Sequence, residues 1–215
     1  RGGAAPRGPG GGPPPSSCRA LTRALAGLGR SSHWQGAVAV FVLARHGRLL
    51  PDAFVCTSVI SACEKGAKWE TALALLPLLP SGDLRRSVPS FNAAISACEK
   101  AAHWGGALAV FASLQHRSLS PDVVTFNATI SACEKGQRWG PAMRLLGTMR
   151  AHRVWPNAIT YCAAISASEK GACWERALAL LEDSRRDGSP PGVVAWSATV
   201  SALEKGQQWE RALTA

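Results

Sequence analysis

Residues 121–157 read PDVVTFNATISACEKGQRWGPAMRLLGTMRAHRVWPN, and this stretch decides the fold. Phe126, Thr129, Ile130 and Cys133 fall at i, i+3, i+4 and i+7, a one-sided helical stripe. Trp139, Ala142, Met143 and Leu146 repeat that spacing, and Gly136 between the two stripes predicts the stop of the first helix. Pro-Asp at 121–122 and Pro-Asn at 156–157 bracket the pair, each forbidding helix and offering a capping side chain. The stretch is therefore expected to be a helical hairpin.

The same hairpin recurs along the chain. Trp34, Trp69, Trp104, Trp139, Trp174 and Trp209 stand 35 residues apart, and so do Ala37, Ala72, Ala107, Ala142, Ala177 and Ala212. Ser-Ala-Cys-Glu-Lys occurs unchanged at 61–65, 96–100 and 131–135, and with one change each at 166–170 and 201–205. A fixed period of this length marks stacked repeats, each burying its apolar face on its neighbours. Units 18–52, 53–87, 88–122, 123–157, 158–192 and a partial unit 193–215 follow, giving an all-α solenoid of antiparallel helix pairs. The alanine series lets helices approach closely, and the tryptophans are expected to be core packing. Pro77 and Pro80 should shorten the second helix of unit 53–87, whereas Pro141 lies in the tolerated first turn.

Residues 1–17 are Gly/Pro-rich and are expected to be disordered, as a linker or the tail of a targeting segment. The chain begins at Arg1 without methionine and stops at Ala215 within a repeat, so it reads as a fragment. Net charge is +10, but unevenly spread. Residues 1–51 hold seven arginines and no acid, and the remainder holds 17 basic and 14 acidic residues. Bulk charge thus points only weakly to a polyanionic partner. Of seven cysteines, Cys63, Cys98 and Cys133 follow the period. Stacked units hold equivalent residues about 10 Å apart, too far for disulfides, so reduced thiols inside a cell are expected. No apolar run reaches membrane-spanning length. The five histidines keep no ligand spacing with cysteine, and no phosphate-cradling loop or catalytic constellation stands out. No metal, cofactor or small-molecule substrate is expected, nor an enzyme within these residues.

The array resembles the pentatricopeptide repeat family, in a style similar to dinoflagellate organelle proteins. The resemblance rests on the 35-residue period and on the unit openings Pro121-Asp-Val-Val-Thr-Phe-Asn-Ala-Thr-Ile130 and Pro156-Asn-Ala-Ile-Thr-Tyr-Cys-Ala-Ala-Ile165, and covers about residues 18–215. It implies a right-handed superhelix that binds single-stranded RNA in its groove, one base per unit. It also implies residence in a chloroplast or mitochondrion, and work in RNA processing, stabilisation or editing beside other RNA-processing proteins.

In that family the fifth and last residues of each unit read the base. The resemblance implies G for Thr22 with Asp52, U for Asn92 with Asp122, and a pyrimidine, C over U, for Asn127 with Asn157. Thr57 with Ser87 has no reading, Cys162 with Gly192 departs from the pattern, and Ser197 lacks its partner. With the amino end at the 5′ side, the implied target is 5′-G-N-U-Y-N-3′. The second residue of each unit sandwiches the base: Arg19, Phe54, Pro89, Val124, Ile159 and Val194, of which Val124, Ile159 and Val194 are the base-packing candidates. Helix capping is the competing role for the Asn and Asp residues.

Stacking would also align Arg30, Lys65, Lys100, Lys135, Lys170 and Lys205 into a ladder suited to phosphates. The glutamate before most of them points about 100° away on a helix, so it need not share that groove. A solvated rim of mixed charge is the competing reading. Two further functions stay open: a peptide-gripping scaffold of tetratricopeptide type, for which the period would be 34, and a guide for a catalytic domain beyond Ala215.

Overall fold

A computed structural model of the chain describes residues 34–46, 53–79 and 88–208. Ten α-helices and no strand occur among the described residues. They are α1 (Trp34–His46), α2 (Ala53–Lys65), α3 (Trp69–Leu75), α4 (Val88–Lys100), α5 (Trp104–His116), α6 (Val123–Lys135), α7 (Trp139–Ala151), α8 (Ala158–Lys170), α9 (Trp174–Arg186) and α10 (Val193–Lys205). The tail 1–17 and the residues Arg19, Thr22, Arg30, Asp52, Ser87, Trp209 and Ala212 lie outside the described residues.

Unit openings form helices because the caps are built in. The Asp122 side chain accepts from the Thr125 backbone N–H at 2.8 Å, and the Thr125 hydroxyl accepts from the Asp122 N–H at 3.3 Å. Asn157 and Thr160 repeat this reciprocal pair. Such caps contribute about 1 kcal/mol each. Unit 53–87 is the exception at its other end. There α3 has seven residues and passes into a 3₁₀ turn, Leu76–Leu78, where the other second helices have 13. Pro77 supplies no amide hydrogen to prolong the ladder, as expected. Pro141 leaves α7 at full length.

The turn glycines stand where the first helices stop, as expected, with Gly136, Gly171 and Gly206 as C-caps. Gly136 caps α6 with φ −79°, and the left-handed residue is the next one, Gln137, at +57°. Ala67, Ala102, Ala172 and Gln207 hold the equivalent strained place. What the glycine provides is room. A Cβ on Gly136 would stand 2.5 Å from Cδ1 of Trp104, and one on Gly66 equally close to Trp34. Where alanine takes that place, at Ala101, the facing Trp69 instead stacks on His103, with ring centroids 3.8 Å apart.

The periodic tryptophans Trp34, Trp69, Trp104 and Trp174 pack against the core, as expected, and fill the seams between units. These four are half-buried, and Trp139 is 39% exposed. At two seams the residue before the second helix covers the indole of the preceding unit, Lys68 over Trp34 and Arg138 over Trp104. The core proper is made of Phe91, Phe126 and Tyr161 at one repeat position, Ile60, Ile95, Ile130 and Ile165 at another, and the alanines Ala37, Ala72, Ala107, Ala142 and Ala177. Burying each Phe or Ile contributes about 1.5–3 kcal/mol. Tyr161 differs from its phenylalanine equivalents by a hydroxyl that donates to Asp187 and accepts from Arg150 at 2.8 Å, tying α7, α8 and α9 together. Burial and the Asp187 carboxylate push this phenol up to about 12.

The first helices α2, α4, α6, α8 and α10 pack on one another along the array, while successive second helices scarcely touch. A two-layer stack that is tighter on one side curves toward that side. The first-helix layer therefore lines the inner surface, and the residues on its outward stripe face a groove.

Candidate nucleic-acid interface

The inner surface begins with a row of exposed apolar side chains at the second position of each first helix. Val124 is 58% exposed, Ile159 63% and Val194 64%, and Phe54 and Pro89 continue the row. Branched and aromatic side chains held open at a fixed interval are unfavourable in water unless something flat covers them. Beside each lies the fifth residue, one helical turn on: Thr57, Asn92, Asn127, Cys162 and Ser197.

The fifth and last residues of a unit, 30 apart in sequence, meet. Asn92 Nδ2 donates to the Asp122 carboxylate at 3.2 Å, and Asn127 Nδ2 donates to Asn157 Oδ1 at 3.2 Å. The threonine that completes each capping box joins them. Thr125 Oγ1 donates to Asn92 Oδ1 at 2.6 Å, and Thr160 Oγ1 donates to Asn127 Oδ1 at 2.5 Å. One acceptor and one donor of each asparagine are thereby fixed, which sets the amide orientation and leaves one N–H and one lone pair facing the groove. Asp122 and Asn157 each cap a helix and also pair with the fifth residue of their unit: one side chain does both.

Sequence reasoning missed Thr125 and Thr160. The signal was present, since each stands three residues after a cap and 33 after the asparagine it orients. Thr57 follows the same logic with a shorter partner, its hydroxyl lying 2.6 Å from that of Ser90. The next junction lacks the network. Ala195 replaces the threonine, Gly192 replaces the cap, and no side-chain cap forms at α10. Instead a groove depression of about 500 Å³ opens between Ile159 and Val194, with Cys162, Gly192, Glu134 and Ser166 on its walls. Burial and the Glu134 charge push the Cys162 thiol up, so it stays a neutral thiol. Ser197 is exposed on α10.

The lysine ladder exists, and the glutamates share it, against the expectation that they could point elsewhere. Lys100 Nζ reaches Glu64 at 2.9 Å, Lys135 reaches Glu99 at 2.8 Å, Lys205 reaches Glu169 at 2.5 Å, and Lys170 pairs with Glu134. Each pair spans 36 residues, because the stack turns the glutamate of one unit toward the lysine of the next. The Lys205 hydrogen bond, with help from Ser201, holds the Glu169 carboxyl below the usual carboxylate range. Each ammonium has three donors, and a carboxylate takes one. Lys65 lies exposed on the same row. The rim is thus a line of ion pairs rather than a bare cationic stripe.

Cys98 and Cys133 are buried, and burial alone accounts for most of the rise of both thiols to about 11. None of the six described cysteines forms a disulfide. No group of three or more metal-ligating side chains occurs among the described residues, and no described helix is long and apolar enough to cross a membrane.

Stacked helix pairs with a lined inner groove define a helical-repeat solenoid. A pentatricopeptide repeat domain profile matches residues 79–138 and, overlapping, 109–170. The crystal structure of the pentatricopeptide repeat protein PPR10 from maize is similar with a TM-score of 0.77 and 28% sequence identity, covering 90% of this chain and 28% of that one. PPR10 in complex with an 18-nt psaJ RNA element is similar at 0.72, with the same identity and coverage. The pentatricopeptide repeat domain of Arabidopsis thaliana protein-only RNase P 1, in complex with tRNA, shares the fold at 0.52 and 12% identity, over 92% of this chain and 86% of that one. No curated protein sequence matches. Residues 79–170 of this chain match the pentatricopeptide repeat family, and the chain spans less than a third of the maize protein's length.

Proposed function

We propose that the array binds single-stranded RNA sequence-selectively along its inner groove, one nucleotide per unit. The observation that carries this reading is the pair of hydrogen-bonded couples, Asn92–Asp122 exposed and Asn127–Asn157 part-buried, each set beside exposed apolar side chains. A base slid between Val124 and Ile159 would cover both and meet the Asn127 amide at its edge. The maize protein of like fold is solved with a single-stranded RNA element, which supports the choice of ligand.

The two couples select differently by their chemistry. Asp122 offers only acceptors, which suits uracil with its ring N–H donor. Asn157 spends its oxygen on the cap and on Asn127, leaving its amide N–H groups, which suit the ring acceptor of cytosine. With Thr22 and Asp52 as the G-reading pair, the proposed target is 5′-G-N-U-Y-N-3′. Unit 158–192 holds its base by the apolar walls Ile159 and Val194 and accepts any base, since Cys162 and Gly192 offer no matching couple. Ser197 contributes a lone hydroxyl to the following position. Lys100, Lys135, Lys170 and Lys205 give phosphates their remaining donors, with Arg30 and Lys65 extending the row. Work in chloroplast or mitochondrial RNA processing, as a binder rather than a catalyst, completes the reading and rests on the family.

Fluorescence anisotropy of the chain with labelled GNUYN RNA, a scrambled RNA and the same-sequence DNA tests it. Preference for the RNA target, moved from U to G at the third base by Asn92→Thr, is expected. Salt-sensitive binding blind to sequence would remove the couples from the account. A folded chain that binds no RNA would favour a protein-gripping scaffold.

A further inference from the structure

Two of the eight tryptophans stand outside the 35-residue series, Trp155 and Trp196. Trp196 is half-buried, with the Arg185 guanidinium 4.7 Å above its ring. Trp155 is 73% exposed, the most open aromatic side chain among the described residues. It lies in the connection from α7 to α8, where Val154 packs on the core and Pro156 is buried. The chain there alternates inward and outward, and both inward neighbours are anchored, so the indole is held outward.

The repeat tells where it is held. In unit 88–122 the equivalent residue is Ser120, and Ser120 lines one surface depression of about 430 Å³ with Asp122 and Val88. That depression therefore touches the residue that caps α6 and couples to Asn92. One period later Trp155 holds the place of Ser120, two residues before Asn157. Leu50, Arg85 and Pro190 hold this place in the other complete units, so an indole here is particular to unit 123–157.

We propose that Trp155 is a stacking platform for single-stranded RNA, covering the nucleotide whose base edge meets Asn127 and Asn157. The inference rests on the RNA-binding reading above and adds a contact that the fifth and last residues do not supply. An indole offers a wide π face to any base and loses little freedom on binding, having two rotors. It strengthens binding at that unit without choosing the base, while Asn127 and Asn157 choose it.

The test uses the whole chain and GNUYN RNA carrying, at its fourth base, a fluorescent cytosine analogue whose emission falls on stacking. Wild-type chain is expected to quench the analogue. Trp155→Ala should weaken binding about tenfold, a usual size for one aromatic platform, and restore much of the emission at saturating protein. Trp155→Phe should keep most of both. Because the indole is exposed, melting temperature should hold in both variants. Unchanged affinity and unchanged quenching in Trp155→Ala would overturn the proposal while leaving RNA binding intact. A folded wild-type chain that binds no RNA would instead overturn the reading beneath it.

Discussion

Two neighbouring junctions of one groove differ by three side chains. Between units 123–157 and 158–192, Asn127, Asn157 and Thr160 form a closed hydrogen-bonded set. Between unit 158–192 and the next, Cys162, Gly192 and Ala195 hold the same places and form none. The helices on either side are alike in length, and α8 packs on α10 as α6 packs on α8. Stacking is therefore independent of the polar set. The apolar seams build the solenoid, and the set adds an oriented couple to a groove that exists without it.

The largest effect should come from breaking the closed junction. Asn127→Ala removes the edge contact, and a good paired contact to a base is worth about 1–3 kcal/mol. Affinity for the target should fall by about tenfold or more, with discrimination lost at the fourth base alone. Cys162→Ala should leave affinity and selectivity nearly unchanged in the same titration. Equal losses in the two variants would show that the couple carries no reading.

Building the missing set is the next test. Cys162→Asn, Gly192→Asp and Ala195→Thr together reproduce the Asn92–Asp122–Thr125 arrangement. Gly192 has φ −77°, and nothing stands within 4 Å of an added Cβ, so the backbone accepts the change. A preference for U of about fivefold should appear at the fifth base, read by competition among the four RNAs. A triple variant that stays blind there would place recognition outside this geometry.

Removing only the orienting hydroxyl is milder. Thr160→Val deletes the bond to Asn127 and one half of a capping box at a fully buried site. Stability should drop by about 1 kcal/mol, seen as a lower melting temperature, and C-over-U selectivity should narrow with little change in total affinity. The matching change at the open junction, Ala195→Val, should leave selectivity as it was.

The smallest effect concerns the rim. Exposed ion pairs contribute about 0–1 kcal/mol, so Glu134→Gln should barely move the melting temperature. It frees the Lys170 ammonium, and RNA affinity should rise a few-fold at low salt with a steeper salt dependence. The Glu169 carboxyl titrates below its unfolded value. Its share of stability is therefore complete above the ordinary carboxylate range and lost as pH falls through the lowered value. Acid melts of Glu169→Gln should show less loss over that window than wild type.

Much of this was legible in the residues. The tryptophan and alanine series, the Pro-Asp breaks and the one-sided stripes pointed to the helix pairs and the shortened α3, since each depends on local periodicity and backbone chemistry. Asn92, Asn127, Asp122 and Asn157 were picked out by family position, and the structure brings each couple within hydrogen-bond reach. Thr125 and Thr160 escaped notice because a capping residue and an orienting residue look identical along the chain. The close packing behind each turn glycine escaped notice for a similar reason. Sequence shows that a glycine is there, but the indole it makes room for belongs to the preceding unit, 32 residues away.

What the sequence by itself determined is the repeat: its period, its two helices and the residues each must bury, all set by interactions within about one unit. What only the tertiary structure decided are the contacts between residues 30 to 36 apart. These include which amide faces which carboxylate, that every described ladder lysine from Lys100 onward meets a glutamate, and that the first helices close the inner surface. The physical reason is the rotation between successive units. It arises from how side chains pack at each seam, and a linear pattern of residues carries no value for it until the stack is assembled.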